Sequence, residues 1–408
     1  MRKILAIIII FLLIGTFNVF AQSETNESKI CNMKISTSPF QEAASEDVVE
    51  WTWIFYDDAD TFNTGDPMDL PEGYEQYSIF NTLYSGNNLN VIVLQDTFLK
   101  PANLWYINEN KEQILLEEMG EINMGDDKTL SDFIMYAKNN FPADRYVLSF
   151  YSHGFGWMGA CPDNFLFDFL TMDEMQKAIL GAGGVDLICF TAPCTMAAFE
   201  SVYELQACCD VYIGSEEGSM YLYWMKSMEK IRNLLNFQTE LSNFDIGEKI
   251  IEFIETDNND EDKCEYLTMS AIRTDNVNDL TYDINVLAEY LLDNPDYYKI
   301  IESIFNEIER FGAGNLLDLY DFCTVLNNSV QDNNLSIILN TIMNSVSFSV
   351  MANCHGSFHQ NARGLTIFFP NNFFDNLYLN LYGSPVFDLD FAQHTLWDEM
   401  LKYYIINS

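Results

Sequence analysis

The sequence predicts an α/β protein, a three-layer α/β/α sandwich with a mostly parallel central sheet and a more helical C-terminal part. Two apolar runs without polar alternation, RYVLSFYSHG (145–154) and VDLICF (185–190), read as strands buried on both faces. Segments with helical spacing lie between such runs, and strands alternating with helices imply crossover connections and parallel pairing. Reactive side chains, His153 and Cys194, follow two of these strands. In an open parallel sheet, chemistry collects where strand carboxyl ends leave turns.

The elements follow in order. Arg2 and Lys3 precede an apolar run from Ile4 to Leu13, and Val19-Phe20-Ala21 ends in a small residue. This pattern is that of a secretory signal peptide over 1–21, with cleavage near Ala21, leaving a secreted chain with no membrane attachment. Residues 22–48 are polar and aperiodic and read as a flexible leader. The core, 49–235, opens with WTWIFYDD (51–58), followed by a helix around 74–84 and strands at NVIVLQD (90–96) and LWYIN (104–108). KTLSDFIMYAKNNF (128–141) is an amphipathic helix stopped by Pro142. Further helices are expected at 172–180 and 196–208, with a strand at DVYIGS (210–215). The region 236–408 is helix-rich, with periodic segments at 242–256, 276–292, 296–310 and 317–328. Strand-like runs follow at 344–352 and 364–369, and the whole region packs on or completes the core.

Composition narrows the partners. The 20 Lys+Arg stand against 61 Asp+Glu, a formal net charge of −41. Such a chain repels nucleic acid and anionic lipid, so neither is expected as a partner. The nine cysteines are an odd number without zinc spacing, so at least one thiol is expected to be free.

Cys194 and His153 form the candidate site. A thiol nucleophile needs a lowered pKa, and Cys194 is expected at a helix start, where the dipole and a nearby imidazole both favour thiolate. His153 serves as general base and then protonates a leaving amine. Gly154 keeps the backbone open to substrate, so the N–H groups of Gly154 and Cys194 are the expected oxyanion donors. The competing reading of each residue is structural: cysteines are commonly small buried hydrophobes and histidines satisfied core groups. No orienting carboxylate is legible. His355, in NCHGSFH (353–359), repeats the His-Gly pair without a nucleophile motif after it and ranks second.

Ser152-His153-Gly154-Phe155-Gly156-Trp157 resembles the strand-His-Gly-x-Gly-Trp element of the clostripain (C11) family of clan CD cysteine peptidases. Cys194-Thr195-Met196-Ala197 is similar to its Cys-x-Met-Ala element, followed by Tyr203-Glu204-Leu205 and Ser215-Glu216-Glu217. Weaker echoes at LTMSAIRT (267–274), DLYDF (318–322) and ARGLTIFFP (362–370) extend the likeness over about 50–370. The resemblance implies a caspase-like sheet and endopeptidase activity on protein or peptide substrates. It also departs from the family. Relatives carry Asp two residues before the cysteine, where it holds a basic P1 side chain, and this chain has Ala192 there, or Thr191 if Pro193 is an insertion. Recognition of P1 is therefore not expected to be confined to Arg or Lys. Glu216 and Glu217 are the remaining candidates for charge in the substrate pocket, against a reading as solvated or helix-capping acids. No basic residue lies between His153 and Lys177, so self-cleavage after one is not expected. No cofactor is required. Calcium assists some relatives, and TDNNDEDK (256–263) offers oxygen donors but lacks an EF-hand spacing and reads as a surface acidic run. Ala192, Pro193 and Ser152 suit an alternative, a secreted peptide-binding or adhesive protein on the same scaffold, weakly catalytic or inactive.

Overall fold

A computed structural model describes residues 48–59, 76, 78–97, 100–163, 166–258, 264–312, 314–370 and 375–407. The expected signal peptide and nearly all of the leader lie outside these residues.

The long central strands are β1 (Val49–Ala59), β2 (Leu89–Thr97), β3 (Lys100–Ile107), β4 (Gln113–Gly120) and β5 (Ala143–Tyr151). Two short strands, β6 (Ala160–Asp163) and β7 (Asp168–Leu170), form a hairpin. Next come β8 (Leu187–Phe190), β9 (Val211–Gly214) and β10 (Thr268–Arg273). The last are β11 (Arg310–Phe311), β12 (Leu316–Asp318), β13 (Val350–His355) and β14 (Thr366–Phe368). Nine of them form one sheet in the order β13-β10-β9-β8-β5-β1-β2-β3-β4. The middle five, β9-β8-β5-β1-β2, pair in parallel, and the additions at both edges are antiparallel.

The strands are apolar on both sides because both sides are covered. Along β1, Ile54 and Tyr56 enter one core while Trp51, Trp53 and Phe55 enter the other. The first core is closed by helices α1 (Asp127–Asn140), α2 (Met172–Gly181) and α3 (Phe199–Leu205). Buried residues further along the chain, including Val277, Leu319, Leu335 and Trp397, complete it. The second core is closed by α4 (Met228–Phe237) and α5 (Asn243–Asp257). This is the three-layer arrangement expected from the alternation of elements.

The differences from expectation are local. The segment expected as a helix from 196 begins only at Phe199, because Cys194 to Ala197 form a turn in which Thr195 has φ 58°. The helix around 74–84 is a single turn, Ile79–Thr82, with residues 74, 75 and 77 outside those described. The strand-like run 344–352 divides between the helix Asn333–Ser349 and β13. The C-terminal region gives β10 and β13 to the main sheet.

It also clasps the core through buried carboxylates. Glu200 and Glu204, one turn apart on α3, are buried. Glu200 Oε1 accepts the Phe368 N–H at 2.9 Å and the Tyr382 hydroxyl at 2.8 Å. Glu204 Oε1 accepts the Phe391 N–H at 3.0 Å. Burial pushes Glu200 up to about 7 and Glu204 up to about 8. A carboxyl with a raised pKa binds its proton more tightly in the folded state, so its stabilisation is complete below the ordinary value of 4.5 and fades as pH climbs through 7 and 8. Relief of repulsion in a chain of net charge −41 acts in the same direction. The unfolding midpoint should therefore rise when pH is lowered from 8.5 to 6, and Glu200→Gln should flatten that rise. Calorimetry across this range checks it, and a midpoint that falls over the same interval contradicts it.

Candidate active site

The site is built on the parallel pair β5–β8, registered with Phe150 opposite Phe190. Both strands leave the sheet at the same level, one toward Ser152-His153-Gly154 and the other toward Thr191 to Cys194. The Thr191 N–H and hydroxyl both donate to the Phe150 carbonyl, at 2.9 and 2.8 Å, extending the pairing beyond the last ladder residue.

The two turns then meet at backbone level. A Cβ added to Gly154 would lie 2.6 Å from the Cys194 carbonyl oxygen, 2.8 Å from the Cys194 nitrogen and 2.8 Å from Pro193 Cβ. Only glycine permits this approach, since real side-chain carbons do not come so near. Among the described residues, no acceptor takes the N–H of Gly154 or of Cys194. Both expected oxyanion donors are thus unspent and adjacent.

The histidine loop is held from three sides. Ser152 Oγ donates to Asp58 Oδ2 at 2.5 Å, and the Cys161 N–H donates to the His153 carbonyl at 3.1 Å. Trp157 is buried against the rings of Phe368, Tyr382 and Phe387, with centroids 5.1–5.4 Å away. The tryptophan of the His-Gly-x-Gly-Trp element therefore anchors the loop. Among the described residues, no carboxylate hydrogen-bonds the imidazole.

Cys194 is partly buried, but not at a helix N-terminus as expected. The turn before α3 delays the helix, and the thiol instead meets the segment after β9. The Ser219 N–H donates to Cys194 Sγ at 3.3 Å. The turn itself is strained, since a β-branched residue at φ 58° is sterically costly. The Thr195 N–H to Glu217 carbonyl bond, 3.0 Å, and the Ala197 N–H to Ser215 carbonyl bond, 2.9 Å, hold it there.

Burial pushes the Cys194 thiol up; the Ser219 N–H opposes this and the Glu217 charge adds to it. Burial lowers the His153 imidazole. Both shifts favour the neutral form of each group, thiol and imidazole.

Of the four residues expected in the substrate pocket, the structure brings one to the thiol with its charge in play. Thr191 is fully buried and spends its hydroxyl on Phe150. Ala192 is buried in the second core. Glu216 turns inward, where its carboxyl lies beside Asp318 and accepts the Gly364 N–H at 2.9 Å. Burial, and after it the Asp318 charge, push Glu216 up, while burial pushes Asp318 up to about 7 against the opposing effect of Glu216, so Glu216 supplies no pocket charge. Glu217, on the opposite side of the extended chain, acts electrostatically on Cys194, but its oxygens accept the N–H groups of Gly218 at 2.8 Å and Gly312 at 3.2 Å. Ser219 also reaches the thiol, and Tyr223 feels its charge from nearby; neither was read from the sequence. Extending the strand-end rule one strand further, past β9, would have found Ser219. His355 sits exposed at the end of β13, its Nδ1 3.2 Å from the Gly356 carbonyl.

All eight described cysteines are free thiols. The oxygen-rich run 256–263 falls largely outside the described residues. Among those described, the carboxylates of Asp96, Glu121 and Asp163 bring oxygen atoms within 4.8 Å of one another, a grouping able to hold a hard cation.

With the geometry in place, kinship settles the family. Residues 68–404 match the model of the clostripain family, peptidase family C11. The chain belongs to the clostripain family. Clostripain of Hathewaya histolytica is 35% identical over 99 residues, which cover 21% of this chain and 19% of clostripain. The match thus spans about a fifth of that relative's length. An inactive zymogen C11 protease from Parabacteroides distasonis superposes with a TM-score of 0.62 at 19% identity, over 86% of this chain and 99% of the other. A secreted C11 cysteine protease from Bacteroides thetaiotaomicron, in complex with an irreversible peptide inhibitor, gives 0.61 at 16%, over 84% and 100%. At these identities the structural likeness concerns the fold, and it is the caspase-like α/β fold that the sequence motifs implied.

Replacement of Gly154 by Ala should lower kcat/KM by about a hundredfold, because a displacement near 1 Å at reacting groups costs that much. Gly181→Ala, at the end of α2 with no foreign atom nearer than 3.9 Å, should leave turnover unchanged. Equal activity of the two variants would contradict the close approach at Gly154.

Proposed function

We propose that this chain is a secreted cysteine endopeptidase in which Cys194 attacks the peptide carbonyl and His153 moves the protons. The observation that carries the reading is the backbone contact of Gly154 with Cys194, which sets two unspent N–H groups beside the thiol. As Sγ bonds to the carbonyl carbon, the thiol proton passes to His153. The carbonyl oxygen becomes an oxyanion received by the N–H groups of Gly154 and Cys194. His153 then protonates the leaving amine, giving a thioester that a water molecule, deprotonated by the same imidazole, hydrolyses. The Ser219 N–H stabilises sulfur while it is anionic.

Specificity for P1 is not confined to Arg or Lys in this reading. Ala192 carries no charge, Glu216 is withdrawn into the core, and both Glu217 oxygens are engaged by backbone donors. Lys177 lies inside α2, paired with Asp173 at 2.6 Å, which supports the absence of self-cleavage after a basic residue. Secretion rests on the signal pattern in residues 1–21, and no helix among the described residues is long and apolar enough to cross a membrane. The chemistry calls for no cofactor, and calcium would find its carboxylates at Asp96, Glu121 and Asp163.

A thiol-directed peptidyl probe should label the protein under reducing conditions and fail on Cys194→Ala, while unchanged labelling of the variant removes Cys194 from its role. Digestion of a mixed peptide library, with cuts read by mass spectrometry, should show cleavage after residues other than Arg and Lys. Cuts restricted to basic residues would overturn the pocket assignment. Because burial lowers the imidazole, kcat/KM should retain its plateau below the ordinary histidine value of 6.5 on the acid side. An acid limb above 6.5 contradicts this.

A further inference from the structure

Two segments meet beside the carboxyl end of β9, on the Cys194 side of the site. One is Cys264–Leu267, leading into β10, and the other is Gly356–His359, leaving β13. The Gly356 N–H donates to the Leu267 carbonyl at 2.8 Å and the Phe358 N–H to the Glu265 carbonyl at 3.0 Å. A Cβ on Gly356 would lie 2.1 Å from the Cys264 carbonyl oxygen and 2.3 Å from that of Glu265, so the segments touch through their backbones. The clasp presents two large rings to solvent. Tyr266 and Phe358 are 54% and 55% exposed, yet they stack face to face with centroids 4.5 Å apart and planes within 3°.

Other large apolar side chains are exposed on this protein, including Phe237 and Tyr282. This pair differs in being stacked, clasped and connected to the thiol. His359 packs under it, 6.0 Å from the Tyr266 ring and 4.9 Å from that of Phe311, with its Nδ1 3.0 Å from Glu309 Oε1. The residue after Phe311, Gly312, donates its N–H to Glu217 Oε2. From the other direction Thr268, two residues beyond Tyr266, accepts the Glu217 N–H at 3.0 Å. Glu217 in turn holds the turn of the nucleophile through Thr195. Met220, 48% exposed, follows the residue that donates to the sulfur.

We propose that Tyr266 and Phe358 form a subsite for an aromatic side chain of the bound peptide, at a fixed distance from the scissile bond. The proposal rests on the peptidase reading, which supplies the bound peptide. Physical grounds favour an aromatic occupant. A ring can stack on or edge against the pair, and because the clasp already orders both platform rings, little rotamer entropy is lost on contact. In a chain of net charge −41 the pair offers apolar rather than ionic recognition, and such recognition resists salt.

The test scans one Phe through every position of an alanine-based octapeptide set and measures binding to Cys194→Ala by fluorescence anisotropy. One placement should bind about tenfold more tightly than the all-alanine peptide, a gain expected from one well-placed ring. That gain should vanish in Tyr266→Ala/Phe358→Ala on the same background, persist in Tyr266→Phe, and survive 0.5 M salt. Affinity for the all-alanine peptide should stay unchanged. Absence of any favoured placement, or a gain that survives the double substitution, overturns the subsite. If the double variant melts early, Phe358→Ala alone should lose most of the gain, and full retention there is equally fatal. Turnover by the wild-type protein is scored separately: positional preference without turnover removes the peptidase reading and keeps the subsite.

Discussion

The parallel pairing of β5 with β8 is the constraint on which the site depends. Two neighbouring strands that point the same way end at the same level, so the residues following them must share space. The hydrogen bonds from Thr191 to the Phe150 carbonyl carry the pairing past the ladder, and the chains are then close enough that position 154 has no room for a side chain. The backbones of the two turns, one carrying His153 and the other Cys194, are thereby brought into contact. The apolar faces of the strands, buried in two separate cores, supply the rigidity.

The electrostatics follow from the same burial. Removing a thiol and an imidazole from water disfavours the charged form of each, and the structure leaves the Ser219 N–H as the donor that moderates this at sulfur. A resting neutral thiol is also a poor target for oxidants, which attack thiolate.

Much of this was legible in the sequence, for identifiable reasons. Strands β1, β5 and β8 announce themselves because burial on both faces demands unbroken apolar runs, and His153 and Cys194 follow from asking what sits at their ends. What was missed depended on relations between distant segments. β4 reads QILLEEMG, with three exposed residues at its start and no clean alternation, so its strand character comes from pairing with β3. The start of α3 was misplaced because Met196 to Leu205 has helical character throughout, while tertiary hydrogen bonds from Thr195 and Ala197 force a turn first. Glu216 and Glu217 are adjacent and chemically alike. Only the direction of the extended chain after β9 decides that one enters the core beside Asp318 and the other faces the thiol. The pocket was therefore less legible than the nucleophile.

The anchoring of Trp157 has a consequence for biosynthesis. The aromatic rings that seat the histidine loop belong to Phe368, Tyr382 and Phe387, more than two hundred residues downstream. While a ribosome is still translating that stretch, the tryptophan has no socket, and the histidine loop is held only by Asp58 and by the Cys161 N–H. Final seating of the histidine loop therefore waits for residues 368–387 to be made, and a chain shorter than that lacks the packing that completes it.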